Sequence, residues 1–206
     1  MFWKVVFLIT LVAFSPALEG LAPNQEQLNK TVTSLIRNFG DQQEKKYNLV
    51  FLTHCTGVSI LDCPEVIWAF NYRTDKKLKL EEARQLAVAM IDDYWQYFSK
   101  NPFFENYLKA SFATISWMPK DVTPKRIGFK IAFWDDQVDR YPPPYISQIR
   151  VKDGIIQYFQ REPNSPALQK PFEETFEQAF AIYNASVEKR TERTKDANDE
   201  KDVKDK

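Results

Sequence analysis

The chain has 206 residues, and its 28 basic and 28 acidic residues give a formal net charge of zero at pH 7. Such a balance gives no electrostatic reason to bind nucleic acid or an anionic membrane surface, so neither is expected as a partner. Aromatic residues make up 15% of the chain, which supplies large side chains for the core of one domain of ordinary size.

Residues 1–17 are typical of a secretory signal peptide. Lys4 is a single positive charge, an apolar run covers residues 5–14, and the small residues Ser15 and Ala17 precede the expected cleavage. The run is about half of the roughly 20 apolar residues that a membrane-spanning helix needs, and no later segment is long and apolar enough. The sequence therefore predicts export, to the periplasm or as a secreted protein, with no membrane span after cleavage.

The expected domain organisation after cleavage is simple. Residues 18–186 are predicted to form a single α+β domain, and residues 187–206 a tail. The tail is dense in charges of both signs and poor in apolar residues, which is typical of disorder.

The first elements of the domain are a helix and two strands. Residues 24–43 carry apolar side chains three and four positions apart, which predicts an amphipathic helix. Residues 48–53 are then expected to form a short buried strand, and residues 65–73 a second, central strand. The apolar face of the helix is expected to contain Leu28, Val32, Leu35, Ile36 and Phe39.

Cys55 and Cys63 are the two cysteines of the chain, and they lie between these strands. In an oxidising compartment they are expected to form a disulfide, because Gly57 and Ser59 make the intervening loop flexible enough to bring them together. Two free, buried cysteines are the alternative.

Residues 80–101 show the strongest helical pattern. Glu81 and Glu82 suit the positive end of the helix dipole. A wide apolar stripe, which needs a sheet to pack against, is expected to contain Ala83, Leu86, Ala87, Met90, Ile91, Tyr94, Tyr97 and Phe98.

The remaining elements predict an antiparallel meander followed by a helix. Residues 127–134 alternate as a partly buried strand, and residues 146–161 form a hairpin around Asp153 and Gly154, a pair that suits a type I′ turn. In that hairpin Val151 should face Ile156. Beyond the linker 160–171, a final helix is expected to begin near Pro171 and to carry Phe172, Phe176, Ala179, Phe180 and Tyr183 on one face.

The connection "FWDDQVDRYPPPYIS", residues 133–147, holds two candidate motifs. Asp135, Asp136 and Asp139 offer oxygen ligands for calcium, but they lack the spacing and the distal glutamate of an EF-hand loop. The segment "PPPY", residues 142–145, matches a short motif that WW domains bind. For both motifs we favour a solvated turn, in which Tyr145 packs against the sheet.

Catalytic and metal-binding signatures are weak. His54 is the one histidine of the chain, and a zinc site needs three or four ligands. In a strand, His54 and Cys55 point to opposite faces and cannot act as a base and a nucleophile. The adjacent acidic pairs are each interpreted as the polar face of a helix or as partners of its dipole: Glu81 and Glu82, Asp92 and Asp93, and Glu173 and Glu174. No catalytic residue, metal or cofactor is predicted.

Several aromatic residues are candidates for a ligand cleft, and most of them lie at core-facing positions. Trp95 and Trp117 fit the core pattern least well. They are therefore the residues that we expect to bind a ligand at the surface.

The chain resembles a group of exported bacterial proteins of unknown function. The resemblance depends on the order of "KKYNLVF" (45–51), a loop, "LEEARQLAV" (80–88), "NPFFENYL" (101–108), a strand and "KDGIIQYF" (152–159), and it covers about residues 45–160. It implies export and a compact α+β fold, and it assigns no functional residue to this chain.

The sequence as a whole predicts an α+β fold in which helices cover one face of a mainly antiparallel sheet of about five strands. The expected function is non-catalytic, with a protein or small-molecule ligand as the partner. The alternative is a secreted hydrolase whose active site is assembled from residues scattered along the chain.

Overall fold

The computed structural model describes residues 22–56, 68–111, 127–134, 140–162, 165 and 167–188. The fold is α+β, with helices packed on one side of a mostly antiparallel, open sheet. This confirms the predicted fold class. None of the helices in the described ranges combines the length and the apolar character that crossing a membrane requires.

Four helices and six strands make up the described part of the chain. In chain order they are α1 (Ala22–Tyr47), β1 (Val50–Thr56), β2 (Trp68–Thr74), α2 (Leu80–Ser99), α3 (Pro102–Ser111), β3 (Ile127–Phe133), β4 (Gln148–Lys152), β5 (Ile155–Arg161), β6 (Leu168–Thr175) and α4 (176–188).

The strands lie in the sheet in the same order as in the chain. Every neighbouring pair is antiparallel except β2 and β3, which are parallel. Parallel neighbours need a long crossover, and α2 and α3 lie in the connection between these two strands. The predicted meander of β3, β4 and β5 is confirmed.

The hairpin between β4 and β5 has the predicted turn and the predicted register. Asp153 and Gly154 have φ angles of 51° and 78°, the positive values that a type I′ turn requires. Val151 lies opposite Ile156, and Ile149 lies opposite Tyr158. The turn chemistry and the hydrophobic alternation select the same register, so local sequence was sufficient here.

The core lies between the helices and one face of the sheet. From the predicted stripe of α2, six side chains are buried, whereas Leu86 and Tyr97 are only partly buried. Arg84 and Val88 are buried in addition, which the apolar pattern did not indicate. The sheet contributes Phe70, Tyr72, Phe129, Ile131, Phe133, Ile149, Val151, Ile156 and Tyr158 to the core.

The C-terminal part of the fold differs from the prediction. Residues 168–175 form β6 where a linker and the first turn of a helix were expected, so the sheet has six strands rather than about five. The helix begins after Thr175 and not near Pro171. The Thr175 hydroxyl accepts a hydrogen bond from the Gln178 N–H, and the Gln178 side chain accepts one from the Thr175 N–H. This reciprocal pair is a capping box, which sets the start of α4.

Two further expectations are wrong as a consequence of strand positions. Glu173 and Glu174 lie in β6, not on a helix face, and they therefore point to opposite sides of the sheet. The first strand covers Val50–Thr56 instead of 48–53, and it is not buried as expected, since Val50 and Leu52 are 42% and 54% exposed.

Candidate functional site

A cavity of about 330 Å³ lies where the parallel strands β2 and β3 end. This volume is at the lower end of the roughly 300–1,000 Å³ that is usual for small-molecule sites. Three chain segments far apart in sequence contribute to it. Among the residues that the structure describes, the lining residues are Asn48, Leu49, Val50, Arg73, Thr74, Asp75 and Trp134.

The cavity forms at this place because of the strand ends. Thr74 at the end of β2 pairs with Phe133 at the end of β3, and the Trp134 N–H donates a 3.0 Å hydrogen bond to the Thr74 carbonyl. Open sheets with parallel strands commonly bind ligands beyond the carboxyl ends of those strands. The remaining wall comes from the turn between α1 and β1, where Asn48 has a φ angle of 49°.

Hydrogen bonds hold the walls of the cavity against the rest of the fold. The Lys76 ammonium donates to the Tyr47 carbonyl at 2.5 Å, which connects the end of β2 to the end of α1. The Tyr141 hydroxyl donates to the Asp75 carbonyl at 2.5 Å. The backbone around the cavity is therefore positioned in advance of any ligand, as in most small-molecule sites.

Trp134 has an unusual environment among the lining residues. Its ring is partly buried, and its Nε1 atom is buried with no hydrogen-bond partner in the described part of the chain. A buried donor without an acceptor costs about 1–3 kcal/mol.

The other lining side chains are chemically mixed. Arg73 is partly buried and Asp75 is exposed, so the cavity has one cationic and one anionic group at its rim. Leu49 is buried and Val50 is 42% exposed, and both are apolar. This set matches a small polar ligand with an apolar part.

Of the two residues that the sequence singled out for ligand binding, Trp95 is not among the described residues that line this cavity. Trp95 is partly buried on α2, where its carbonyl accepts a hydrogen bond from the Ser99 hydroxyl. Trp117 lies outside the described residues, as do Cys63 and the acidic positions 135–139. The predicted disulfide and the surface site at Trp95 and Trp117 therefore stay predictions.

His54 and Cys55 are consecutive residues of β1. The prediction that they cannot act as a base and a nucleophile assumed such a strand. The His54 side chain is partly buried, and its ring centre is 6.1 Å from that of Phe51. Burial lowers the pKa of His54, and the nearby charge of Arg37 adds to this shift. Among the described residues, no group of three histidine, cysteine, aspartate or glutamate side chains is placed to hold a metal ion.

The proline segment forms a turn at the surface. Pro142, Pro143 and Pro144 are exposed, and the Tyr145 N–H donates a 3.2 Å hydrogen bond to the Pro142 carbonyl. Tyr145 is partly buried, with its ring centre 6.4 Å from that of Tyr141.

Sequence reasoning counted Trp134 among the aromatic candidates for a ligand cleft but did not select it, because the alternating pattern of 127–134 explained it as one more residue of a strand. A tryptophan at the end of a strand becomes informative only when that strand is known to be parallel to its neighbour, and the sequence did not indicate this. No local sequence pattern marks Thr74 or Asp75 as part of a binding site.

Comparison with known proteins identified no matching protein-family model, curated protein or solved structure.

Proposed function

We propose that this chain is an exported, non-catalytic protein that binds a small polar ligand in the cavity at the ends of β2 and β3. The observation that carries the proposal is the cavity itself, whose walls are held in place and whose Trp134 N–H has no partner among the described residues. A ligand with an acceptor oxygen would fill the cavity and, after a rotation of the Trp134 ring that turns Nε1 towards it, would satisfy that donor.

Binding is favoured over hydrolysis by the lining of the cavity. Among the described lining residues Asp75 is the one carboxylate, and it lies exposed at the rim. Acid–base hydrolysis commonly pairs two groups whose environments separate their pKa values. The lining offers hydrogen bonding, charge and apolar contact, which are sufficient for recognition.

Export is supported by residues 1–17, which have the pattern of a signal peptide, and by the resemblance to exported bacterial proteins. The periplasm and the cell exterior both favour a disulfide between Cys55 and Cys63. A bond that closes a loop of about nine residues adds roughly 2.6 kcal/mol of stability by the loop-entropy relation, before any strain.

The test is a native mass spectrum of the protein purified from its own exported fraction, compared with its mass after denaturation. We expect a chain processed after residue 17, two hydrogens lighter because of the disulfide, with an additional mass that is lost on denaturation. The Trp134→Phe variant replaces the indole with a smaller aromatic ring that has no N–H, so it should lose the additional mass. The matched Trp95→Phe variant should retain it.

Three results would contradict the proposal. A native mass equal to that of the processed chain would exclude a tightly held ligand. Loss of the additional mass in Trp95→Phe but not in Trp134→Phe would move the site to α2. An unprocessed N-terminus would contradict export by signal cleavage.

A further inference from the structure

The sheet has a second face, and this face carries a row of polar and cationic side chains. The described helices pack on the opposite side. Across β2, β3, β4 and β5, the register places Asn71 opposite Lys130, Lys130 opposite Arg150 and Arg150 opposite Gln157. We call these four residues the open-face row. Gln148, in β4, lies on the same face and is buried, whereas Arg150 beside it in the same strand is exposed.

Two cations are direct neighbours at the centre of this row. Residues that lie opposite each other in an antiparallel pair have Cα atoms about 4.5–5.5 Å apart, and like charges in this position destabilise a sheet. Lys130 is partly buried and Arg150 is exposed. Lys152, also in β4, adds a third cation on the same face.

The cations are not neutralised by carboxylates within the described part of the chain. The contact that Arg150 makes is with an aromatic ring, since its guanidinium carbon lies 5.5 Å from the centre of Phe159. Glu173 extends the row on β6. It is already bound at 2.6 Å by Lys170 and at 3.2 Å by the Gln157 amide nitrogen.

We propose that the open-face row is a docking surface for an acidic segment of another polypeptide. The partner's carboxylates would lie between Lys130 and Arg150, replacing the repulsion of two cations with charge-assisted hydrogen bonds. This proposal is independent of the cavity, because neither cation lines it.

The residues at the ends of the row favour a polypeptide over a nucleic acid or a lipid surface. The Asn71 amide can donate to a peptide carbonyl and accept from a peptide N–H. The Gln157 amide nitrogen donates to Glu173, and its oxygen can accept from a peptide N–H. A phosphodiester offers acceptors but no backbone donor. Single-stranded nucleic acids also stack on free aromatic rings, whereas Phe159 is already covered by Arg150.

The test is the binding of fluorescently labelled poly-L-glutamate to the full exported chain, measured by anisotropy at low and moderate salt. We expect binding that weakens as salt is added. The Lys130→Gln/Arg150→Gln variant should lose about a hundredfold in affinity, because it removes two cations and each charge-assisted hydrogen bond contributes about a factor of ten. The matched variant Lys45→Gln/Lys100→Gln removes the same charge from the exposed helical side and should bind like the parent.

Stability separates lost binding from misfolding. Removing a pair of opposed like charges should leave the urea midpoint unchanged or raise it. Unchanged binding in the Lys130→Gln/Arg150→Gln variant would overturn the proposal. So would tighter binding of the parent protein to duplex DNA or to phosphatidylglycerol vesicles than to poly-L-glutamate.

Discussion

Glu174 is the residue whose environment differs most from its appearance in the sequence. Its side chain is 2% exposed, and both carboxylate oxygens accept hydrogen bonds from Arg84 Nε, at 2.8 and 3.1 Å. The Tyr158 hydroxyl donates a third, at 2.7 Å. Burial lowers the pKa of Arg84, but the hydrogen bond and the charge of Glu174 outweigh burial, so its pKa lies above the ordinary value. The pair joins α2 to the last two strands of the sheet.

We expect Glu174→Ala to lower the free energy of unfolding by about 3–5 kcal/mol, because it leaves a buried guanidinium without its main counter-charge. Urea denaturation measures this change. The matched control is Glu173→Ala, which removes the same side chain one residue away on the exposed face. A similar loss in both variants would show that the buried pair has no special role.

At the scale of elements, the close contact between α1 and β1 depends on Gly40. A Cβ atom at this position would lie 2.6 Å from the Cε1 and Cζ atoms of Phe51. The Phe51 ring is confined in turn, with its centre 5.4 Å from that of Tyr72 and 6.4 Å from that of Phe70. The helix therefore approaches the strand as closely as a residue without a side chain allows.

We expect Gly40→Ala to destabilise the protein even though alanine favours helix by about 1 kcal/mol. Overpacking costs about 1–3 kcal/mol and should exceed that gain. In a Phe51→Leu background the smaller side chain gives way, and the same substitution should become stabilising. Chemical denaturation of the four proteins in this cycle measures the coupling, and additive effects would contradict the packing argument.

The element that sequence patterns missed is β6. Its sequence, LQKPFEET, contains proline and several charged residues, which disfavour a strand by local propensity. It forms because an edge strand can tolerate these residues while it pairs with β5. The start of α4 could have been predicted from the sequence, because Thr175 and Gln178 have the spacing of a capping box. The prediction depended instead on the preference of proline for the first helical position.

At the scale of the whole molecule, the core is rich in buried tyrosines. Tyr72 and Tyr94 share a 2.8 Å hydrogen bond between their hydroxyl groups. Burial raises the pKa of both residues. Burial likewise raises the pKa of Tyr47 and Tyr158, and the neighbouring Asp93 and Glu174 strengthen the shift in each case.

These shifts predict alkaline unfolding. The native tyrosines keep their protons above pH 10, whereas an unfolded tyrosine loses its proton near that value. The native state then binds more protons than the unfolded state, so stability is fully present below about pH 10 and falls above it. The slope should reach about 1.4 kcal/mol per pH unit for each shifted tyrosine. Urea titrations across this range measure it, and a free energy that stays constant well above pH 10 would contradict the prediction.

The sequence by itself determined what depends on residues near one another in the chain. The helical stripes of α1 and α2, the strand β3 and the hairpin with its register all follow from periodicity and turn chemistry over short windows. The α+β class follows from the order of those elements.

Only the tertiary structure decided which strands are neighbours and which of their ends meet. The parallel pairing of β2 and β3 brings Thr74 and Asp75 beside Trp134, and the turn at Asn48 closes the cavity. The antiparallel pairing of β3 with β4 places Lys130 opposite Arg150 on the open face. Contacts between distant segments have no local pattern, because they arise from burying the shared core rather than from the preference of any one segment.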